Sequence, residues 1–395
     1  MKRTIQYFTR HKRRIAVRGG LLILLSGLLL YRLGTLTVGL SPTEVLAANA
    51  PLGWHGLYNH PFYLPLLFVR SAVYFLINDY GDFLTRLPNT LFGLLSVISL
   101  AYVVRKWHGI RTAVFATTLY GTSAWFLHVS RLASFDVLYL CAIPMLLCSG
   151  VLMQKYFKKP IVFYGSLLLW GAFLYVPGLI WLILLTIYWQ KEVIAEGWKQ
   201  FSKTWQRALY VAAGLIWLPL LLNNLARPHQ LMLWFGAPSQ FAAPLTLLKS
   251  FVGVFVHLFV RGPQYPEIWL GKLPIMDIFV LVACVVGIYF YARNKKAFRS
   301  RQLFSYFVVA VVLITLHGAV PISLLIPLLY LVAATGVAFL LREWLQIFPN
   351  NPFARGLGIA LITIAVLMSS VYNLRAYFVA WPHNPVTQTI FRYDR

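Results

Sequence analysis

The chain has 395 residues, of which 59% are hydrophobic and only 11% are charged. A soluble domain is about half apolar and about a quarter charged, so this composition argues against one. Repeated apolar runs of about 20 residues instead predict an all-α, polytopic integral membrane protein. The net charge of +25 lies mostly in short loops between those runs, where orientation and anionic membrane lipids account for it. No nucleic-acid partner is therefore predicted.

The N-terminal segment predicts the orientation of the chain. A cluster of Lys and Arg residues between positions 2 and 18 should stay on the cytoplasmic side. The apolar run that follows, about residues 17–38, is too long for a signal peptide and lacks a clear cleavage site. We read it as a retained first span, which places the next loop on the outer face of the membrane, with the cell (plasma) membrane as the expected location.

That first outer loop, about residues 39–88, is the most polar part of the N-terminal half. Glu44–Ala50 is predicted to form a short helix, with Ser41 as its N-cap and Pro42 at its first position. Residues 61–77 are apolar but contain Pro65 and Arg70, which favours an interfacial helix over a span.

The remaining apolar runs predict ten further spans, eleven in all, within one integral membrane domain over residues 1–395. The run at 161–190 is too long for one span and is divided at Tyr175-Val176-Pro177-Gly178. The ten spans are placed at about 88–104, 112–127, 135–153, the two halves of 161–190, 208–222, 275–291, 303–316, 321–341 and 356–372.

Several common chemistries lack support in the sequence. Cys141, Cys148 and Cys284 lie inside apolar runs, where buried hydrophobes are expected rather than disulfides or metal ligands. There is no Walker motif, dinucleotide glycine fingerprint, HExxH or spaced Ser-His-Asp set. ATP-driven transport and zinc proteolysis are therefore not predicted.

Two acids are candidate catalytic residues. Glu44, at the outer membrane surface, could act as a general base or help to bind a divalent cation; alternatively, it is a solvated carboxylate favoured by a helix N-terminus. Asp136 begins a span, where an acid is costly unless it is paired or faces a cavity. The alternative for Asp136 is a simple pairing with Arg131.

Other polar residues of the outer face are candidates for substrate binding. Each has a plain alternative as a headgroup contact, an interface ring or a turn residue, and His60 could also join Glu44 as a metal ligand. The candidates are Asn59, His60, Tyr63, Arg86, Arg131 and His317, with Arg227, Arg261 and Lys272 as further outer cations that could meet a lipid-linked phosphate.

Three stretches together resemble a known family. After the acid in the first outer loop, the chain carries Asn59-His60-Pro61-Phe62-Tyr63, then Thr85-Arg86-Leu87-Pro88-Asn89, then Ser130-Arg131-Leu132-Ala133-Ser134-Phe135-Asp136. In this order they resemble the GT-C membrane glycosyltransferases of family 39, which includes protein O-mannosyltransferases and aminoarabinose transferases. The resemblance is best over residues 40–190.

The resemblance implies a polyprenyl-phosphate sugar donor and an active site on the outer face. The family usually carries an Asp-Glu pair in the first loop; Glu44 matches its Glu, and Thr43 replaces its Asp. His60-Pro61 stands near the expected donor phosphate, and Asp136 matches an acid that helps to shape the site. No cofactor is certain, and a divalent metal is possible.

We therefore expect an inverting hexosyl- or pentosyltransferase of the cell envelope, which moves a sugar to a lipid, glycan or protein acceptor. In this hypothesis Glu44 orients or deprotonates the acceptor, Asp136 positions it, and His60 with Arg86 or Arg131 holds the phosphate. Two alternatives stay open: a non-catalytic binder of lipid-linked sugars, and a transporter or flippase.

Overall fold

The computed structural model describes residues 19–49, 61–77, 81–264, 267 and 270–392. Within these ranges the chain is helical and no β-strand occurs. A 3-10 turn (Ile322–Leu324) precedes α15, and a π-helical turn (Ala376–Ala380) follows α16. The helices are α1 (Gly19–Leu30), α2 (Pro42–Ala48), α3 (Leu64–Ile77), α4 (Asp82–His108), α5 (Ile110–Thr122), α6 (Ala124–Arg131), α7 (Asp136–Tyr156), α8 (Pro160–Phe173), α9 (Leu179–Gln200), α10 (Lys203–Ala226), α11 (Gln230–Trp234), α12 (Pro244–Phe259), α13 (Ile278–Arg293), α14 (Phe298–Thr315), α15 (Ile326–Ile347), α16 (Pro352–Arg375) and α17 (Pro385–Ile390).

The predicted all-α membrane architecture is confirmed. Among the described helices, six are long and apolar enough to cross a membrane: α4, α7, α10, α14, α15 with its preceding turn, and α16 with its following turn. Shorter apolar helices, including α1, α3 and α8, accompany them. The number of eleven spans stays a prediction.

The spans differ in how deeply they lie in the bundle. In α7 and α15, 72% and 78% of the most apolar segment is buried inside the protein, whereas in α10 and α16 only 22% and 28% is buried. Many large apolar side chains of the last two helices are exposed, Leu225 and Met368 among them. Because such surface is stable only in lipid, α7 and α15 form the centre of the bundle and α10 and α16 face the membrane.

One predicted span is wrong. Residues 112–127 form not one helix but the end of α5 and the start of α6, which are separated at Ser123. The backbone of Ser123 leaves the helical region, and its hydroxyl accepts the N–H of Phe126 at 3.5 Å while Tyr330 donates to it at 2.9 Å. A serine that caps a new helix inside an apolar run does not interrupt the hydropathy pattern.

The predicted break near Pro177 is confirmed. Helix α8 ends at Phe173 and α9 begins at Leu179. Between them Gly178 adopts φ +77° and donates its N–H to the carbonyl of Trp234 at 2.8 Å. A Cβ atom on Gly178 would lie 3.3 Å from the Cα of Gly236, so the close approach of these two turns requires glycine.

Candidate active site

Helix α2 places the first polar loop against the bundle. Ser41 is its N-cap, Pro42 occupies its first position, and the Ser41 hydroxyl accepts the N–H of Glu44 at 3.2 Å. Glu44 returns the bond, since its Oε2 accepts the N–H of Ser41 at 3.0 Å. This reciprocal capping box confirms the predicted start of the helix, and it points Glu44 inward and leaves Thr43 exposed.

Glu44 is fully buried, and its carboxylate accepts four hydrogen bonds. Arg86 of α4 donates two of them, from Nε to Oε1 and from Nη2 to Oε2, each at 2.8 Å. The N–H groups of Ser41 and Ala133 donate the other two, each at 3.0 Å. A carboxylate has about four lone-pair sites, so Glu44 has no remaining site for a substrate proton.

Arg86 also donates hydrogen bonds to three groups other than Glu44. It donates from Nη1 to the carbonyl of Leu33 at 3.1 Å, and from Nη2 to the carbonyl of Gly39 and the hydroxyl of Thr37, both at 3.0 Å. The buried pair therefore joins the end of the first apolar segment, α2, α4 and the turn before α7. Sequence reasoning brought Glu44 and Arg86 to one site but did not predict that they bind each other.

Asp136 begins α7 directly after that turn. Asn89 of α4 fixes the turn by donating from Nδ2 to the carbonyl of Ser134 at 2.5 Å, and Ser323 donates to the carbonyl of Asp136 at 3.4 Å. The side chain of Asp136 is half-buried and interacts electrostatically with Glu267. Asp136 thus meets a second acid instead of the predicted partner Arg131.

Glu267 is the residue that sequence reasoning missed. Its carboxylate receives the N–H of Thr43 on Oε1 at 3.2 Å and the hydroxyl of Thr43 on Oε2 at 2.5 Å. The sequence indicates it only through the scarcity of acidic residues, since the chain has just 10. Thr43 is exposed and Asp136 and Glu267 are half-buried, so both acids are accessible from the surface of the protein.

Arg131 lies among aromatic side chains. It is buried, donates from Nη2 to the carbonyl of Tyr31 at 2.5 Å, and stands over the rings of Phe378 and Tyr377 at 4.8 and 5.2 Å. These contacts stabilise the π-helical turn against α6. Arg131 is thus placed as a packing residue at the back of the site.

His128 lies one turn before Arg131 in α6. Its ring is 1% exposed and packs edge-on against Trp381 at 4.9 Å and beside Trp125. Burial lowers the pKa of His128 to about 3, and the adjacent backbone of Glu267 offsets only part of that effect. The imidazole is therefore neutral at neutral pH.

This burial predicts a pH-dependent stability. The unfolded chain binds a proton on His128 near pH 6.5 and the folded chain only near pH 3, so stability is lost as the pH falls from about 6.5 toward about 3, by at most about 1.4 kcal/mol per pH unit. We expect His128→Phe to flatten the decline of melting temperature between pH 7 and 4 in detergent. Equal slopes for parent and variant would contradict this assignment.

The remaining candidates are placed as follows. Tyr63 adopts φ +64°, donates its N–H to the carbonyl of Tyr175 at 2.8 Å and stacks on Phe135 at 4.3 Å, next to Asp136. His317 is exposed on the turn that packs against Gly236, and thus belongs to a different group of turns. Asn59 and His60 lie outside the described residues.

The donors available for a divalent metal do not form a cluster. Glu44 is occupied by Arg86, and His60, the other predicted ligand, is outside the described ranges. Among the described residues no group of three His, Cys, Asp or Glu side chains is close enough to hold an ion.

An apolar groove of about 970 Å³ lies on the membrane-facing side of the same loop that carries Glu267. Residues 270–274 form one wall and the lipid-facing side of α16, including Met368, forms the other. Two exposed cations, Lys272 and Arg375, are among the lining residues, and the lining continues past Arg375 to Ala380. Next to it Asp277 is buried and bonded to Ser369 and Asn373 at 2.7 Å, which fixes α13 against α16.

Structural comparison finds relatives that cover nearly the whole chain. ArnT from Cupriavidus metallidurans in the apo state aligns with a TM-score of 0.54 and 14% identity over 96% of this chain and 78% of that one. The same protein bound to undecaprenyl phosphate gives 0.54 and 13% over 95% and 77%. An Archaeoglobus fulgidus oligosaccharyltransferase in complex with Zn and sulfate gives 0.57 and 12% over 91% of this chain and 53% of that one. Comparisons with protein-family models and with curated protein sequences find no match.

These similarities establish the fold. ArnT, an aminoarabinose transferase, and the archaeal oligosaccharyltransferase are GT-C glycosyltransferases. The chain therefore has the GT-C fold, as its sequence predicted. Its length is about half that of the oligosaccharyltransferase.

Proposed function

We propose that the protein is a membrane glycosyltransferase that takes its sugar from a polyprenyl-phosphate donor. The observation that carries the proposal is the combination, within a GT-C fold, of accessible acids with an apolar groove whose lining includes two exposed cations. Acids suit an acceptor hydroxyl, and cations suit a departing phosphate. ArnT from Cupriavidus metallidurans, which has the same fold, is described bound to undecaprenyl phosphate.

The groove is the proposed site of the donor lipid. Its lining is almost entirely apolar side chains of α16 and of residues 270–274, which suits a prenyl chain. Lys272 and Arg375 would bind the phosphate by charge-assisted hydrogen bonds and neutralise the charge that develops on it. The loop that carries Lys272 also carries Glu267, so the phosphate and the acids lie at the same end of the bundle.

Asp136 is the proposed contact of the acceptor. It is half-buried, begins a central helix and is not engaged by a described cation. Its carboxylate would accept a hydrogen bond from the acceptor and orient it toward the anomeric carbon. Glu44, by contrast, we assign to structure together with Arg86, because all its acceptor sites are used.

The active site is proposed to lie on the outer face of the cell membrane. The inner loops of the predicted topology carry most of the Lys and Arg residues, at the opposite ends of the helices. Donors built on a polyprenyl phosphate and presented there would reach lipid, glycan or protein acceptors of the envelope.

A non-catalytic binder of lipid-linked sugars is the second candidate. One observation favours it. Glu44, the first catalytic candidate from the sequence, is bound by Arg86 and is therefore not available as a base. A transporter is less well supported, because the accessible acids gather at one end of the bundle rather than at its middle.

The experiment that separates these candidates uses purified chain and labelled undecaprenyl-phosphate hexoses and pentoses. The protein is incubated with each donor and a panel of lipid, glycan and peptide acceptors, and products are resolved by chromatography. We expect label to move from the donor to one acceptor class. Binding of donor with no movement of label over many hours would instead establish the binder.

The two cations of the groove carry a separate prediction. Lys272→Met and Arg375→Met should each raise the donor KM about tenfold, because each removes a charged contact worth about 1.5 kcal/mol. kcat at saturating donor should fall as well, because the same cations neutralise the charge that develops on the departing phosphate. Lys249→Met, which removes an exposed cation of α12 outside the groove, is the matched control. A donor KM equal to that of the parent in both groove variants would show that the phosphate does not bind here.

A further inference from the structure

We infer that Glu267 is the general base of the reaction and that Thr43 holds it in place. The inference rests on the proposed function and deepens it by assigning the proton-accepting group. Glu267, from a loop far away in the sequence, would thus supply next to α2 the proton acceptor that Glu44 cannot provide.

The contact between Thr43 and Glu267 fixes a carboxylate in one orientation. Two donors of one residue, the N–H and the hydroxyl of Thr43, bind the two oxygens of Glu267 separately at 3.2 and 2.5 Å. Such two-point binding restricts the rotation of the carboxylate. Among the described residues only Thr43 binds the carboxylate, which leaves about two of its four lone-pair sites, and the side chain is only half-buried, so a hydroxyl can reach it.

The other acids at this end of the bundle do not offer the same chemistry. Glu44 accepts four hydrogen bonds and forms an ion pair with Arg86. Asp277 is buried and accepts from Val280, Ser369 and Asn373. Asp136, which is also half-buried, interacts electrostatically with Glu267. The His128 ring, 1% exposed, lies beside the Glu267 backbone.

The reaction step balances with these groups. The acceptor oxygen forms a bond to the anomeric carbon while the bond from that carbon to the phosphate oxygen breaks. The acceptor proton passes to a free oxygen of Glu267, and polyprenyl phosphate leaves with the bonding electron pair. Asp136 accepts a hydrogen bond from a different O–H or N–H group of the acceptor and so keeps the attacking oxygen in line.

Glu267→Gln tests the assignment with little disturbance. The amide oxygen can still accept a bond from Thr43, so α2 stays docked, but the side chain can no longer take a proton. We expect kcat to fall about 100-fold, within the usual range for loss of a general base, with an unchanged donor KM and melting temperature. Glu196→Gln, an exposed acid of α9, is the matched control and should retain parental kcat.

A relocated carboxylate distinguishes a base from a simple helix-docking residue. Thr43→Asp combined with Glu267→Gln returns a carboxylate to within about one hydrogen-bond length of the original position, at a helix start that favours negative charge. We expect this double variant to recover at least tenfold in kcat over Glu267→Gln, with a pH–rate profile that again rises through a carboxyl pKa. Parental kcat in Glu267→Gln, or no recovery in the folded double variant, would overturn the assignment.

The outcome also separates this inference from the proposed function. A parent that transfers sugar, with a Glu267→Gln variant equally active, overturns the role of Glu267 and leaves the glycosyltransferase standing. A parent that transfers no sugar to any acceptor overturns both.

Discussion

Arg86→Met is expected to lower the free energy of unfolding by about 3–5 kcal/mol, the usual cost of removing one partner of a buried ion pair. The variant leaves the Glu44 carboxylate buried with two backbone donors and no cation. It also releases the carbonyl groups of Leu33 and Gly39. Because the pair joins four segments, we expect low yield and a melting temperature far below that of the parent. Thermal unfolding in detergent, followed by tryptophan fluorescence, measures the loss.

A double-mutant cycle separates the charge of the pair from its shape. Glu44→Gln combined with Arg86→Met removes both charges and keeps an amide whose single oxygen can accept the N–H of Ser41 or of Ala133, which bind different oxygens of Glu44. We expect the double variant to be more stable than Arg86→Met alone, because no isolated charge remains buried. A double variant as unstable as the single one would show that packing of Arg86, and not the ion pair, holds the loop.

Asp136→Asn is expected to reduce kcat/KM for the acceptor about 100-fold while the donor KM stays parental. The amide keeps the size of the side chain but loses the charge that orients the acceptor hydroxyl, and a misplacement of about 1 Å can cost a factor of about 100. The backbone of the turn is fixed by Asn89 and Ser323, so the fold should persist. Initial rates over a grid of donor and acceptor concentrations give both constants.

The melting temperature and donor binding of Asp136→Asn serve as its internal controls. Both should match the parent, because the described contacts of Asp136 with Ser323 use its backbone carbonyl. A variant that binds acceptor and turns over at the parental rate would exclude Asp136 from the acceptor site. Loss of donor binding would assign it to the donor instead.

Local features of the site were predictable from the sequence. Ser41 and Glu44 have the spacing of a capping box, with Pro42 at the first helical position. All the hydrogen bonds of this motif form within four residues, so the sequence alone can indicate it. The turn at Pro177-Gly178 was predictable for the same reason, since a proline followed directly by a glycine favours a turn through local backbone chemistry alone. The GT-C fold followed from the order of short motifs, and the structural relatives confirm it.

The partners of the acids were not predictable. Glu44 and Arg86 are 42 residues apart, and Thr43 and Glu267 are 224 residues apart. No periodicity links such positions; only the packing of the helices brings them together. Sequence reasoning therefore chose Glu44 as the first acid by its predicted place at the outer membrane surface and by its match to the family's Glu, whereas its burial and its four hydrogen bonds favour a structural role. Glu267 is a lone acid in an apolar loop, and this alone does not indicate a function. Its contact with Thr43, which only the structure shows, makes it a candidate site residue.

The most direct test of a glycosyltransferase is the simultaneous measurement of sugar transferred and polyprenyl phosphate released by the purified chain in proteoliposomes. Undecaprenyl-phosphate sugar, labelled separately in its sugar and in its lipid, is the donor, and Glu267→Gln is the low-activity reference. We predict that the two products appear in a ratio of about one to one, since each transfer breaks one bond from carbon to phosphate oxygen. Intact donor that is only bound, or that crosses the bilayer without release of polyprenyl phosphate, would contradict it.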